Sequence, residues 1–183
     1  MKHLTHSYRN RSKTLCAYIL LFGIMLLAAN QGDAVAKTAV KPIAQWEAKV
    51  VGITDGDTLT VLTPNKEEVR IRLYGVDAPE RKQAFGTKSK EFLASLVFGQ
   101  TVIVLPVGRD LYGRTIAKLF YNGRDVGLTC IEYGYCWWYK DYAKKEILYK
   151  KAQDKACKQE LGLWSENKPI EPWKFRKDKK RSE

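Results

Sequence analysis

Asp57 and Asp77 are where a chemical reading of this chain starts, because each lies in a short segment crowded with other polar groups. The segments are Asp55-Gly56-Asp57-Thr58, then Arg72-Leu73-Tyr74-Gly75-Val76-Asp77-Ala78-Pro79-Glu80, then Asp110-Leu111-Tyr112-Gly113-Arg114. Clustered carboxylates suit a hard cation, and calcium takes about six to eight oxygen ligands. Two aspartates and a main-chain carbonyl leave several positions to water and to a substrate oxygen, the open shell that a catalytic ion requires. Arg72 and Arg114 can each fork onto two phosphate oxygens and stay charged at any working pH. Glu80, in the same loop as Asp77, can deprotonate or orient an attacking water. The chain carries a formal charge of +12, which favours polyanions. Together these features point to metal-dependent chemistry on nucleic acid.

Each fragment has an ordinary reading as well. Asp-Gly-Asp is more often a turn than a metal site, and Asp77 before Ala78-Pro79 can simply cap a loop. A lone arginine on a strand is usually solvated, and Tyr112-Gly113 reads as a turn. What strengthens the set is that every piece falls at the end of a predicted strand and that the charges complement one another.

The positioning elements follow from periodicity. Residues 46–54 and 57–63 read as strands rich in Val, Ile and Thr, parted by the hairpin signal Asp55-Gly56. In a third strand Val69, Ile71 and Leu73 alternate with Arg70, Arg72 and Tyr74, so both arginines share the face opposite the apolar set. Lys88 to Phe98 is helical, with Phe92 and Leu96, and Leu93 and Val97, at i, i+4, and Gly99 closes it. Residues 101–107 and 115–121 return to strand character, Asn122-Gly123 turns the chain, and Asp125 can cap a short helix ending near Gly134. A last helix, roughly 142–161, places Leu148, Ala152 and Ala156 on one stripe. The expected fold class is α+β, mainly β: a five-stranded OB-like barrel with three helices packed outside.

The ends read differently. Lys2, Arg9, Arg11 and Lys13 precede an uncharged apolar run over 15–29, and Ala34-Val35-Ala36 offers a cleavage point, the layout of a secretory signal peptide. Its removal takes away four Lys/Arg and Asp33, leaving 147 residues with charge +9, enough for one domain. The expected organisation is a leader (1–36), a short linker (37–45), a barrel domain (46–166) and a basic tail (167–183). Between Lys174 and Arg181 stand six basic residues and one acid, read as a solvated tail. Both histidines, His3 and His6, lie in the leader, which makes zinc and histidine acid–base chemistry improbable in the mature protein. Cys130, Cys136 and Cys157 remain, an odd number; a Cys136–Cys157 bridge is the expected pairing in an oxidising compartment.

The spacing Asp55-Gly56-Asp57-Thr58-Leu59-Thr60-Val61, a ten-residue spacer, Arg72-Leu73 and Val76-Asp77-Ala78-Pro79-Glu80 resembles the long signature of the staphylococcal nuclease (thermonuclease) family. Asp110-Leu111-Tyr112-Gly113-Arg114 resembles its second signature, and Leu161-Gly162-Leu163-Trp164-Ser165 its closing segment. The resemblance implies that Asp57 and Asp77 are calcium carboxylates and that Ala78 contributes its carbonyl. It implies that Arg72 and Arg114 bind the scissile phosphate, that Glu80 is general base or water orienter, and that Asp55 stands just behind the ligands. Tyr112 would contact a nucleotide phosphate, and Tyr139 or Tyr142 a base or sugar. Three departures stand out: Ala78 replaces the family's frequent threonine, Leu111 replaces a basic residue, and the segment after Glu80 is short.

The expectation is therefore an exported enzyme, periplasmic or secreted, monomeric and without stable membrane association once the leader is cleaved. It would need calcium to hydrolyse phosphodiester bonds of DNA and RNA without sugar preference, leaving 3′-phosphate ends. The rival reading is a non-catalytic module that binds single-stranded nucleic acid on the same fold. Pure binding has no need to assemble Asp57, Arg72, Asp77, Glu80 and Arg114 together. Of the aromatic cluster Trp137, Trp138, Tyr139 and Tyr142, the two tryptophans are expected in packing roles rather than base stacking.

Overall fold

A computed structural model describes residues 44–182; the leader over 1–36 and most of the linker lie outside the described residues. Five strands form the barrel: β1 (Trp46–Ile53), β2 (Thr58–Leu62), β3 (Glu68–Leu73), β5 (Thr101–Arg109) and β6 (Thr115–Tyr121). The antiparallel order is β3-β2-β1-β5-β6, and a parallel pairing of β3 with β6 closes it. Closure leaves no free edge in this set. The alternation expected of β3 is present: Ile71 and Leu73 are buried and Arg70 is exposed. Val50, Leu59, Val61, Ile71, Val104 and Leu119 fill the barrel interior, each with no exposed surface.

Outside the barrel lie α1 (Gly86–Val97), α2 (Val126–Glu132), α3 (Ile147–Lys158) and α4 (Pro172–Ser182). Helix α1 buries Leu93 and Val97, and Gly99 follows it at φ +77°, the left-handed conformation glycine allows. Asp125 caps α2, its side chain accepting from the Leu128 N–H at 3.1 Å. Helix α3 is shorter than its periodicity implied, because residues 139–146 form turns instead. Its buried stripe is Tyr149, Ala152 and Ala156, while Leu148 is exposed. Tyr149 wins that position because its hydroxyl reaches the buried side of the α2 cap, donating to Asp125 Oδ2 at 2.7 Å.

The fourth helix departs from the expected solvated tail. Pro172 opens it, a residue preorganised for a first helical turn, and Lys174 and Phe175 donate their N–H groups to the Glu171 carbonyl. Two short strands, β4 (Val76–Asp77) and β8 (Trp137–Trp138), pair antiparallel beside the barrel, with Asp77 opposite Trp137. That pairing fixes Asp77 at the barrel mouth. A two-residue strand β7 (Arg124–Asp125) pairs antiparallel with the end of β6.

Candidate active site

The loop between β1 and β2 is shaped by its own aspartate. Asp55 Oδ1 accepts the N–H groups of Asp57 at 3.1 Å and Thr58 at 2.8 Å, a side-chain turn that Asp makes readily. Gly56 lets this loop press inward: a Cβ there would stand 2.6 Å from Ser89 Cβ of α1 and 2.7 Å from Ala78 Cβ. The loop thereby delivers Asp57 against the segment that carries Asp77. Asp57 Oδ2 accepts the Ala78 N–H at 2.7 Å, and its Oδ1 accepts the Thr58 hydroxyl at 3.0 Å. Gly75 makes the β3–β4 turn at φ +73°.

Arg72 joins the two carboxylates. Its Nη1 lies 3.1 Å from Asp57 Oδ2 and donates to the Val76 carbonyl at 2.8 Å, while Nη2 donates to Asp77 Oδ1 at 2.9 Å. The Arg72 side chain is 14% exposed and that of Asp77 1%. Burial opposes the Arg72 charge, yet Asp57, Asp77 and Asp55 together push its pKa above the ordinary arginine value. Burial likewise raises the Asp77 carboxyl, helped by the Asp57 charge and only partly countered by Arg176 and Arg72. Asp55, pressed by burial and then by the Asp57 charge, is raised to about 6.

Arg114 reaches the same cluster from the start of β6. Its Nε donates to Asp110 Oδ2 at 2.7 Å and its Nη1 to Thr58 Oγ1 at 3.2 Å. Since Thr58 in turn donates to Asp57, a continuous chain runs from Arg114 to the carboxylates. Asp110 also accepts the N–H groups of Tyr112 and Arg114, which sets the turn. Tyr112 is 84% exposed, with the Arg114 guanidinium 5.7 Å from its ring centre.

Sequence reasoning did not find Arg176. From α4 it places Nη2 2.8 Å from Asp77 Oδ2, and Nη1 3.2 Å from Asp77 Oδ1 and 2.7 Å from Glu80 Oε1. Three residues earlier, Trp173 lies parallel to Tyr139, with centroids 5.3 Å apart and 4° between planes. Trp173 also meets Trp137 edge-on at 5.8 Å. Tyr142 is 69% exposed and tilted against Tyr139 at 4.6 Å. Trp137 is buried and the Trp138 indole N–H donates to the Ala143 carbonyl, so both tryptophans pack. Thr58, a buried relay between Arg114 and Asp57, was in the motif but had no assigned part.

The cysteines also differ from the expected pairing. All three thiols are free, and the neighbour that most perturbs the Cys136 thiol is Cys130. The reason is local: Cys130 and Cys136 flank the tight turn after α2, where the Cys136 N–H donates to the Cys130 carbonyl. The Cys136 thiol also donates to the Gly56 carbonyl at 3.4 Å. Its pKa is pushed well up, by Cys130 first and then by burial.

As donors for a cation, the site offers hard oxygens only. Among the described residues no three His, Cys, Asp or Glu side chains gather as a metal-holding group. Asp57 and Asp77 therefore leave most of an ion's positions to main chain, water and substrate. Arg72 and Arg176 pair with these carboxylates, so a cation at Asp77 would take the place of part of that pairing. The donor set fits calcium or a similar hard cation.

Comparison with known proteins agrees with this geometry. Residues 70–166 match the family model described as staphylococcal nuclease homologue. An uncharacterized endonuclease of Haemophilus influenzae is 36% identical over 93% of this chain and 88% of its own length. The micrococcal nuclease of Shigella flexneri is 38% identical over 84% of this chain and 95% of its own, and protein ParB of Escherichia coli 35% identical over 84% and 92%. A closed five-stranded barrel, a carboxylate pair bridged by an arginine and a family match over more than half the sequence converge on one conclusion: this chain belongs to the staphylococcal nuclease family.

Proposed function

We propose that the protein is an exported, calcium-dependent endonuclease that hydrolyses phosphodiester bonds of DNA and RNA, without sugar preference, to 3′-phosphate products. The observation that carries the reading is the joining of Asp57, Arg72, Asp77, Glu80 and Arg114 at one barrel mouth through direct contacts or single intermediaries. Its relatives bear nuclease and endonuclease names, which supports nucleic acid as substrate.

Asp57, Asp77 and the Ala78 carbonyl would hold calcium, which when bound supplies Lewis-acid polarisation of a phosphate oxygen. Arg114, held at Nε by Asp110, presents a preoriented charge to the scissile phosphate and stabilises the negative charge added when water attacks. Arg72 contributes a fixed positive charge at the seam of the two aspartates. Glu80, with a side chain 39% exposed, accepts the proton of the attacking water or orients it. Tyr112 offers a hydroxyl to a neighbouring phosphate, and Tyr139 and Tyr142 offer faces to base or sugar. Asp55 keeps the Asp57 loop in shape. Action as a monomer, free of the membrane after leader cleavage, completes the proposal.

Cleavage of single- and double-stranded DNA and RNA, with calcium and with chelator, tests the reading. Calcium should be required, and Arg114→Ala should lose about 10²–10³-fold in kcat, the usual effect of removing one group that stabilises the transition state, while much binding persists. Undiminished turnover in chelator with metal removal verified rejects calcium; parallel loss of binding and cleavage in Arg114→Ala rejects the role of Arg114.

A further inference from the structure

We propose that helix α4 is an internal cover whose Arg176 competes with a divalent cation for Asp77 and Glu80, and whose Trp173 covers the Tyr139 face that a nucleobase would use. This rests on the reading of Asp57 and Asp77 as the cation's carboxylates. Arg176 would then set metal affinity and substrate entry, rather than acting in the chemistry.

The competition follows from which oxygens are taken. Asp77 Oδ1 already accepts from Arg72 at 2.9 Å. Oδ2 is the oxygen left for a cation, and Arg176 Nη2 stands on it at 2.8 Å. The same guanidinium holds Glu80 Oε1 at 2.7 Å, so one side chain engages a proposed metal ligand and the proposed base together. Arg176 is 42% exposed whereas Asp77 is 1% exposed. Arg176 therefore approaches from the solvent side, the side from which an ion and a phosphate must also come. With Oδ1 already taken by Arg72 and by Arg176 Nη1 at 3.2 Å, a cation on Oδ2 would meet the like charge of Arg176 Nη2 at contact distance and would have to displace it.

The aromatic contact is a second, independent observation. Trp173 and Arg176 are three residues apart and so lie on one face of α4. While Arg176 engages the carboxylates, Trp173 stacks on Tyr139 and meets Trp137 by its edge. A flat ring over Tyr139 and a cation beside Asp77 are the two features a metal–nucleotide complex would bring. The helix thus presents an intramolecular imitation of both ligands. It is anchored at its start, where Pro172 is buried and the Gln83 amide donates to the Ile170 carbonyl. The exposed residues that follow, among them Lys177 and Lys180, carry positive charge that a polyanion can draw outward. Cation binding and docking of α4 are then reciprocally linked: each weakens the other by the same factor.

Calorimetric calcium titration of the wild type, Arg176→Gln and Arg176→Lys, with tryptophan emission followed in parallel, tests the proposal. Arg176→Gln should bind calcium about tenfold more tightly, equivalent to about 1.4 kcal/mol, the gain held to this size by solvent screening of a part-exposed pair. Arg176→Lys, which cannot fork onto two carboxylates, should fall between. Calcium should change the emission of the wild type, and Trp173→Phe should remove most of that change. Equal or weaker calcium binding by folded Arg176→Gln, or an emission change that persists in Trp173→Phe, overturns the cover. No calcium binding by either folded wild type or Arg176→Gln overturns the metal reading beneath it, a result distinct from equal affinities.

Discussion

Arg72→Met separates what Arg72 does for the fold from what it does for phosphate. Methionine keeps much of the aliphatic stem and removes the guanidinium. In the wild type that group donates to two main-chain carbonyls, of Val76 at 2.8 Å and Leu73 at 3.2 Å, and faces carboxylates of Asp77 at 2.9 Å and Asp57 at 3.1 Å. Taking one partner from a buried ion pair costs about 3–5 kcal/mol, because the other charge is left without compensation. Here the low end, about 3 kcal/mol, is expected, since Arg176 still contacts both Asp77 oxygens. For a domain of this size each kcal/mol moves the midpoint by about 2–4 °C, so the melting temperature should fall by roughly 6–12 °C.

The assay is urea unfolding in chelator, followed by circular dichroism and fitted as a two-state transition. Burial raises the Asp77 pKa despite Arg72, and loss of Arg72 should raise it further. The sign follows: Arg72 stabilises the ionised carboxylate, so the gap between variant and wild type should widen as pH rises and narrow once Asp77 is protonated. In an Asp77→Asn background the same Arg72→Met change should cost less by about 1–2 kcal/mol, the coupling expected of contacting groups. A loss below about 1 kcal/mol in Arg72→Met, or an identical loss in the Asp77→Asn background, refutes the argument that the stranded carboxylate is the source.

Gly56→Ala places a Cβ against Ser89 and Ala78 at 2.6 and 2.7 Å; this overpacking should destabilise by about 1–3 kcal/mol, and calorimetry should show weaker calcium binding, because relief displaces Asp57. Asp55→Asn should stabilise the calcium-free protein as pH rises. The folded-state pKa of Asp55 is raised from 3.8 to about 6, so folding favours the protonated acid: the penalty is absent below pH 3.8, grows through that window and is constant above it. Asparagine keeps an oxygen for the Asp57 and Thr58 N–H groups without the charge, and melting curves from pH 4 to 7 should diverge by an amount on the order of 1–3 kcal/mol; parallel curves contradict this.

Much of the barrel was legible because closed β structure repeats a short-range rule. Val69, Ile71 and Leu73 announce one face of β3, and Asp55-Gly56 announces the hairpin that presents Asp57. The Asp125 cap and Gly99 are equally local signals. Long-range choices were not legible. Tyr149 displaced Leu148 from the α3 stripe through a hydroxyl bond to Asp125, a partner 24 residues away. Arg176 gave less warning still: its carboxylate partners lie 99 and 96 residues earlier, and α4 shows Trp173 and Phe175 among cations rather than an apolar period. A charge run pairs with whatever acid the fold brings to it, and only the assembled barrel says which.

Ala78 gains a physical reason that spacing alone could not supply. The loop bearing Asp57 and the loop bearing Asp77 meet at two points: the Ala78 N–H on Asp57 Oδ2 at 2.7 Å, and the space above Gly56, where Ala78 Cβ and Ser89 Cβ leave no room for a further carbon. The hydrogen bond holds the carboxylates at a fixed separation, and the contact sets how deeply the Asp57 loop can press. Cys136 closes the third side by donating its thiol to the Gly56 carbonyl. A larger residue at 78 would have to turn its extra atoms away from Gly56 to keep that approach. Alanine meets the steric demand without such a choice. What this position must preserve is the close approach to Gly56 and the placement of its N–H against Asp57.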